Sequence, residues 1–358
     1  MTLRAAVVGT SFGGRIHVPA LRAAGFDVVA LVGQDEERTT RRAARLEVER
    51  ACTSLAQALE LGLDAVSVAG PPASHAPLTL EALAGRCHVL CEKPFTLTVA
   101  EAEELRSAAE AASLVGLIGH EFRWATDRAV AEEALAEGRI GTPVLVVAVS
   151  LMAMLRQFTM ADWWYDEALG GGWLGASGSH LVDHLRGWFG DLASVSAVLT
   201  TVQGGLGVDD GFAVRATTAS GVEAVLVQCA AALGPGEAMT RVVGTDGTLW
   251  LAGGQAWLAD GDSAEGRPLG VPSHLELPDV SELATGSLAD MTRLELPPYI
   301  RLAEAFRRRI EGAEPAPGPA AATFADGVAV MQVLEAVRAS AAAGGRTTPV
   351  GSPVGGAR

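Results

Sequence analysis

The first third of the chain carries the pattern that most constrains its fold. Short apolar runs alternate with helix-like segments. The runs are RAAVVG (4–9), DVVALVG (27–33), DAVSVAG (64–70), HVLCEKP (88–94) and LVGLIGH (114–120). Between them lie helical patterns at 17–25, 35–47, 75–86 and 98–113. Nearly continuous apolar strands must be buried on both faces. A parallel sheet covered by helices on each side satisfies that requirement. Thr98 with Glu101 three residues on forms a capping-box pattern and predicts where the last of these helices begins.

After about residue 122 the rhythm changes. A helix is expected at 127–141, a strand at 143–152 and a helix at 179–190. Five strands then follow at 194–203, 211–218, 222–231, 239–244 and 248–251. Adjacent strands joined by short Gly-rich turns imply antiparallel pairing. The stretch 252–296 has little pattern and is expected to be loop. Two more helices are expected at 298–311 and 320–342. The fold class is therefore α/β. A doubly wound parallel sheet over 1–122 precedes a second α/β domain over 123–345, and 346–358 is a tail whose end, GSPVGGAR, is expected to be frayed. A length of 358 residues suits two domains.

Composition narrows the partners. A formal charge of −15 repels phosphate backbones, and no basic patch with interleaved aromatics occurs, so nucleic acid is not expected. No run reaches the roughly 20 apolar residues that span a bilayer, so no membrane is expected either. The opening MTLRAAVVGT reads as a strand rather than a signal peptide. Cys52, Cys87, Cys91 and Cys229 form no Cys-x-x-Cys, which fits reduced thiols and a cytoplasmic protein. His88 lies between Cys87 and Cys91, but alternation along a strand turns it away from them, so buried thiols are favoured over a metal site.

VVGTSFGG lies after the first strand and before the first helix, where a dinucleotide-binding Rossmann fingerprint belongs. The G-x-G-x-x-G frame falls on Gly9, Ser11 and Gly14, with Phe12 inside the same turn. Gly9 allows the tight turn. A small residue at 11 lets backbone approach a pyrophosphate, and Gly14 lets helix pack on strand. The helix N-terminus then offers amide groups and a positive dipole end to phosphates. The tip of the second strand usually bears an acid that bonds the adenosine ribose. Here it is Gly33, followed by Asp35 and Arg38. Arg38 could pair with a 2′-phosphate and Asp35 opposes one, so NAD or NADP is expected, with the balance toward NADP.

CEKPF (91–95) puts Glu-Lys-Pro at the end of a parallel strand, the edge where α/β proteins bind ligands. With it go VVGTSFGGRIHVPALRAAG (7–25), AGPPASHAPLTLEALAGRCHVLCEKPFTLTVAEAEEL (69–105), GHEFRW (119–124) and GGGWLGASGSHLVDHLRGWFG (170–190). In order and spacing these segments resemble the Gfo/Idh/MocA oxidoreductases, the family of glucose–fructose oxidoreductase and inositol dehydrogenase. The resemblance spans nearly the whole chain. It implies a Rossmann domain and a C-terminal α/β domain with an open, mostly antiparallel sheet, through which members form homodimers or homotetramers. It implies hydride transfer between a nicotinamide cofactor and a carbinol carbon of a sugar, cyclitol or related polyol. Glu92 matches the family glutamate that lines the cofactor site, and Lys93 the lysine beside the reacting oxygen. His180 matches the histidine that gives or takes a proton.

The chemistry needs such groups. An alcohol losing hydride must also lose its hydroxyl proton, and histidine titrates in the useful range. An ammonium stabilises negative charge on the oxygen. One departure stands out. Four residues before His180 the family usually has Asp, and here it is Ala176. Asp183 belongs to the family's H-x-x-D pattern. It could orient His180, contact substrate or salt-bridge within the fold, for instance with Arg186.

Pro71 and His75 follow the third strand and are expected to border the cofactor. Arg123 could reach substrate or cofactor. Trp164, with Trp163, Tyr165 and Trp173, could pack on a sugar ring or on the fold itself. Two other functions compete. A dinucleotide-binding regulatory protein of the same fold would explain Ala176 and Ser11. A metal hydrolase could use His180, Asp183 and His184, since H-x-x-D-H mimics an inverted zincin helix. It lacks an evident third ligand, and no metal site is expected.

Overall fold

A computed structural model describes residues 2–351. The chain forms two compact units, Met1–Ala125 with Glu276–Val328 and Thr126–Leu275 with Ala329–Arg358. The first unit opens on β1 (Arg4–Val8), and a π-helical turn over Gly13–His17 leads into α1 (Val18–Ala23). There follow β2 (Asp27–Val32), α2 (Glu36–Arg45), β3 (Arg50–Cys52), α3 (Leu55–Leu59) and β4 (Ala65–Val68). Then come α4 (His75–Ala84), β5 (His88–Cys91), α5 (Val99–Ala112) and β6 (Gly116–Ile118). All pairings are parallel, in the order β3-β2-β1-β4-β5-β6. The order reverses at β1/β4, which marks the ligand edge of a doubly wound sheet. The capping box is present: the Thr98 hydroxyl accepts from Glu101 N, and Glu101 accepts from Thr98 N.

The second unit begins with α6 (Thr126–Ala136), β7 (Pro143–Leu151), α7 (Met154–Gln157) and α8 (Ser179–Phe189). β8 (Leu192–Thr200), β9 (Gly211–Thr218), β10 (Glu223–Cys229), β11 (Glu237–Gly244), β12 (Gly247–Ala252), β13 (Gln255–Asp260) and β14 (Ser263–Pro268) follow. With a late strand, β15 (Thr348–Pro349), they make a sheet ordered β14-β13-β12-β11-β7-β10-β9-β8-β15. Every pairing is antiparallel except β7 with β10. One face is the core side, with Val146, Ala148, Val195, Ala197, Val214, Ala224 and Leu226 buried.

Besides adding β3 and α3, which the outline did not include, the structure departs from the expected outline in three places. First, the segment 252–296 is loop only between about 269 and 288. β13 and β14 form a hairpin in its first part, and Trp257 stacks on Trp250 of β12 at 5.9 Å. The pairing partner supplies what a short, Gly- and Asp-rich run lacks on its own. Second, α9 (Ala289–Ile310) starts well before residue 298 and contains Pro297 and Pro298. Its Leu296, Tyr299, Ile300, Leu302, Ala303 and Phe306 share a core with Ile16, Leu21, Phe26, Leu31 and Trp124. Burying each such large side chain contributes on the order of 1.5–3 kcal/mol. That face draws 276–328 into the first unit and overrides a simple cut at residue 122. Third, within 346–358, Thr348 and Pro349 pair with Val195 and Ser194. The remainder, 352–358, lies outside the described residues. The last helix is α10 (Phe324–Ala342). Among the described residues no helix is long and apolar enough to cross a membrane.

Candidate active site

The turn after β1 is built as the fingerprint requires. Gly9 has φ +116°, and a Cβ there would stand 2.3 Å from the Ala69 carbonyl oxygen. Only glycine fits both constraints. The close helix–strand approach falls at Gly13, where a Cβ would meet Val7 Cγ1 at 2.8 Å. Gly14 instead passes Leu46, at 3.1 Å from a Cβ. Ser11 is exposed, and Phe12 packs edge-on against His17 at 5.3 Å with the Arg15 guanidinium 5.5 Å above its ring.

At the tip of β2, Gly33 leaves no room for an acid, since a Cβ would meet Thr10 Cγ2 at 2.4 Å and Thr39 Oγ1 at 2.6 Å. Asp35 caps α2 by accepting from Arg38 N at 2.8 Å. Arg38 is exposed. One turn on, Arg42 Nη1 donates to Thr10 Oγ1 at 2.9 Å, which ties a cation to the glycine turn. Burial and the neighbouring Arg38, Arg45 and Arg41 lower the Arg42 pKa. The spacing of 38 and 42 could have pointed to Arg42.

After β4, Pro71 is exposed, and His75 is 1% exposed with its ring nitrogens 2.9 Å from the Pro94 carbonyl and 3.0 Å from the Gly70 carbonyl. Burial pushes its pKa down against those bonds. The neutral ring has one N–H and so donates to one of these carbonyls, while it packs between the β4 loop and the segment after Lys93.

Glu92 holds the end of β5. Its Oε1 accepts from the Tyr299 hydroxyl at 2.9 Å and lies 3.2 Å from His17 Nε2, and its Oε2 accepts from Lys93 N at 3.1 Å. His17 Nδ1 in turn meets Ser67 Oγ at 2.6 Å. Burial alone would raise the Glu92 carboxyl, but His17, Lys93 and Tyr299 outweigh it and hold it below the ordinary range. The same burial, with Glu92 alongside, pushes the Tyr299 phenol well up. Gly119 leaves space for this clamp, because a Cβ would stand 2.3 Å from Glu92 Oε1.

Next to it, Glu121 is 2% exposed, and its Oε2 has no hydrogen-bond partner among the described residues. Burial, then Glu92, raise its carboxyl well above the ordinary range despite Lys93. Arg123 Nη1 donates to the Ala320 carbonyl at 2.9 Å, and Nη2 lies 3.7 Å from Asp326. Sequence patterns missed His17 and Tyr299, because partners in distant segments give each its role.

In the second unit, Gly170–Gly172 must be glycine-rich. Gly171 packs against the 163, 164 and 166 carbonyls, and Gly172 has φ +103°. Asp209 accepts from Leu174 N at 2.7 Å and so starts the helical turn Leu174–Gly178 that runs into α8. That turn carries Ala176, 7% exposed, and α8 carries His180, 8% exposed, Asp183, fully buried, and His184, also buried. Arg186 pairs with Asp191 at 2.7 Å. Trp164 touches Trp163 at 5.0 Å and Trp173 at 6.4 Å between ring centres, and Trp173 is buried. Among the described residues no three His, Cys, Asp or Glu side chains group closely enough to hold a metal. The four cysteines are free thiols.

Comparison with known proteins agrees with this architecture. Residues 3–120 match the family model described as oxidoreductase family, NAD-binding Rossmann fold, and residues 129–250 match the GFO/IDH/MocA C-terminal domain. D-apiose dehydrogenase of Paraburkholderia graminis is 29% identical over 268 residues, covering 70% of this chain and 67% of that protein. An uncharacterised oxidoreductase of Synechocystis is 31% identical over 201 residues, 55% of this chain. That match spans about half the relative's length, 54%. The structure of levoglucosan dehydrogenase in complex with NADH and levoglucosan superposes with a TM-score of 0.83, covering 98% of this chain and 99% of that one at 21% identity, a likeness of fold. A glycine turn, a Glu-Lys-Pro strand end and two matched domain models lead to one assignment: the chain belongs to the Gfo/Idh/MocA family of oxidoreductases.

Proposed function

We propose that the chain is an NAD(P)-dependent oxidoreductase that moves a hydride between nicotinamide and a carbinol or carbonyl carbon of a sugar, cyclitol or related polyol. One observation carries this. The Glu92 carboxylate is clamped by Tyr299 and His17 and accepts from Lys93 N, which fixes Lys93 at the ligand edge of the parallel sheet. The dinucleotide suits the residues present, because the Gly9 turn is made and two α2 cations stand near the second strand's tip. Gly9, Ser11, Phe12 and Gly14 would hold the pyrophosphate end, with Pro71 and Glu92 along the rest. When bound, the nicotinamide supplies or accepts the hydride.

The chain's own residues handle charge and protons. Lys93 stabilises negative charge on the substrate oxygen. His180 takes the hydroxyl proton in oxidation and returns it in reduction. Asp183 and Trp164 are assigned to substrate or to the support of His180, and Arg123 to the support of the Lys93 region. The names of D-apiose dehydrogenase and levoglucosan dehydrogenase support a sugar-like substrate. Gly33, Arg38 and Arg42 support NADP. The open face of the nine-stranded sheet exposes Val198 and Val225, which supports association into homodimers or homotetramers.

The test is a screen of polyols and keto-sugars with NADH and NADPH, followed absorbance-wise, with Lys93→Ala and His180→Ala alongside. Each variant should lose on the order of 100-fold or more in turnover. Turnover indifferent to both substitutions would sink the assignment.

A further inference from the structure

The turn after β1 carries a cation. Arg15 follows Gly14 directly, within the π-helical turn Gly13–His17, and its guanidinium lies 5.5 Å above the Phe12 ring. Two residues of α9 hold it from one side. Nη1 donates to Thr292 Oγ1 at 3.1 Å, and Nη2 donates to Glu295 Oε2 at 2.6 Å. Thr292 is itself fixed, since its hydroxyl donates to the Leu288 carbonyl at 3.0 Å. The turn and this part of α9 belong to the same unit.

Those bonds use two of the five N–H donors of a guanidinium. The remaining donors, Nε–H among them, have no partner among the described residues. They are not sealed in, because 24% of the Arg15 side-chain surface is exposed and none of its nitrogens is a buried unpaired atom. The fork is therefore fixed at two points, stacked on a ring, and still open to solvent. A fork already held in one orientation loses less freedom when it forms further bonds. Its surroundings point to the ligand. Lys93 and Glu92, at the end of β5, act on Glu295 by their charge, so the ion pair stands at the ligand edge of the parallel sheet. A planar guanidinium matches two oxygens of a phosphate. In the dinucleotide only the phosphates are anionic, and the pyrophosphate is the part that the glycine turn after β1 admits. A 2′-phosphate has cations of its own in Arg38 and Arg42 of α2.

We propose that Arg15 binds the pyrophosphate of the dinucleotide through its open N–H donors, with Glu295 and Thr292 as the positioning residues that hold the guanidinium in place. This rests on the dinucleotide-dependent function above. The glycine turn gives the phosphates backbone amides, and Arg15 adds a side-chain charge anchored on a helix from the far end of the chain.

Binding tests it without turnover. The probes are NADH with ADP-ribose, and NADPH with 2′-phospho-ADP-ribose. Each pair shares the pyrophosphate, and only one member carries nicotinamide. Titration calorimetry on the full chain compares wild type with Arg15→Ala, Arg15→Gln, Glu295→Gln and Glu295→Ala. Arg15→Ala should weaken both members of the preferred pair alike, by about 10- to 100-fold, the range of charge-assisted hydrogen bonding. Arg15→Gln can still donate to Glu295 but lacks the charge, and it should show the same loss. It decides the matter if Arg15→Ala does not fold. Glu295→Gln keeps an acceptor for Arg15 and removes a like charge beside the phosphates, so affinity should not fall. Glu295→Ala frees the guanidinium and should weaken binding by about 2- to 10-fold, the effect of ordering one long side chain. Added salt should weaken wild type more steeply than Arg15→Ala. Unchanged binding in both Arg15 variants overturns the proposal. So does a loss confined to the nicotinamide-bearing probe. Equal losses in Arg15→Ala and Glu295→Ala with the salt dependence of wild type, the mark of a structural bridge, overturn it too. Wild-type protein that binds none of the probes would instead overturn the dinucleotide function itself, and this proposal with it.

Discussion

The Tyr299 hydroxyl donates to Glu92 Oε1 at 2.9 Å across 207 residues of sequence. The strand end that presents Lys93 is therefore held by a helix encoded near the other end of the chain. Both partners are buried, Tyr299 completely and Glu92 to 6% exposure.

Replacing Tyr299 with Phe removes that bond together with the longer, 3.4 Å contact between the hydroxyl and His17 Nδ1. A hydrogen bond to a charged group contributes about 1.5–3 kcal/mol, so the urea midpoint at neutral pH should fall accordingly. The Glu92 carboxyl lies below its ordinary range in the folded protein. Its contribution is thus present above the unfolded value of about 4.3 and is lost as pH falls through the folded value. The stability gap between wild type and Tyr299→Phe should narrow over that acid window. A gap that stays constant with pH would mean the bond does not depend on an ionised Glu92.

Gly9→Ala adds a Cβ 2.3 Å from the Ala69 carbonyl at φ +116°. The turn must shift or the residue must strain, at a cost of about 1–3 kcal/mol. Thermal unfolding should occur earlier, and dinucleotide affinity should fall along with it. The same substitution at Gly138, which has open space around it, should cost less and leave affinity intact.

Cofactor choice can be read from Arg42. Arg42→Ala should weaken NADPH by about 10- to 100-fold, the range of one charge-assisted hydrogen bond, with NADH within about threefold. Thr10→Val breaks the 2.9 Å contact but leaves the guanidinium in place, so it separates loss of charge from loss of loop packing. Parallel binding titrations decide it, and equal losses for both cofactors would speak against a 2′-phosphate role.

Asp209 begins the helical turn that leads to His180 by accepting from Leu174 N. Asp209→Ala removes this cap and should destabilise the second unit by about 1 kcal/mol. Because the effect lies upstream of His180, turnover should fall more than dinucleotide affinity. A matched drop in both would argue against this route.

Much of the candidate site was legible because its signals are local. The glycine turn follows from a strand, a sharp bend and a helix in sequence. Glu-Lys-Pro lies at a strand end, and the β-α alternation says which edge that is. The capping box at Thr98 and Glu101 needs four residues and no partner elsewhere. Gly33 told against an acid before the packing of Thr10 and Thr39 explained why none fits.

Other features depend on partners far along the chain. β13 and β14 carry too weak a local pattern to be read, and β12 gives them their register. Helix α9 tolerates Pro297 and Pro298 because its apolar face is buried in the first unit's core.

By itself the sequence determined the β-α alternation and the parallel sheet and singled out Lys93, Glu92 and His180 as candidates, since periodicity and motif spacing are local properties of a chain. Only the tertiary structure decided the protonation and bonding around them. Burial sets the dielectric, and residues 17, 67, 92, 121 and 299 become neighbours only after the chain has folded. Two glutamates of one turn-rich edge thereby take opposite states, Glu92 favoured as the carboxylate and Glu121 as the acid, because donors outweigh burial at the first, while burial and the neighbouring carboxylates outweigh Lys93 at the second.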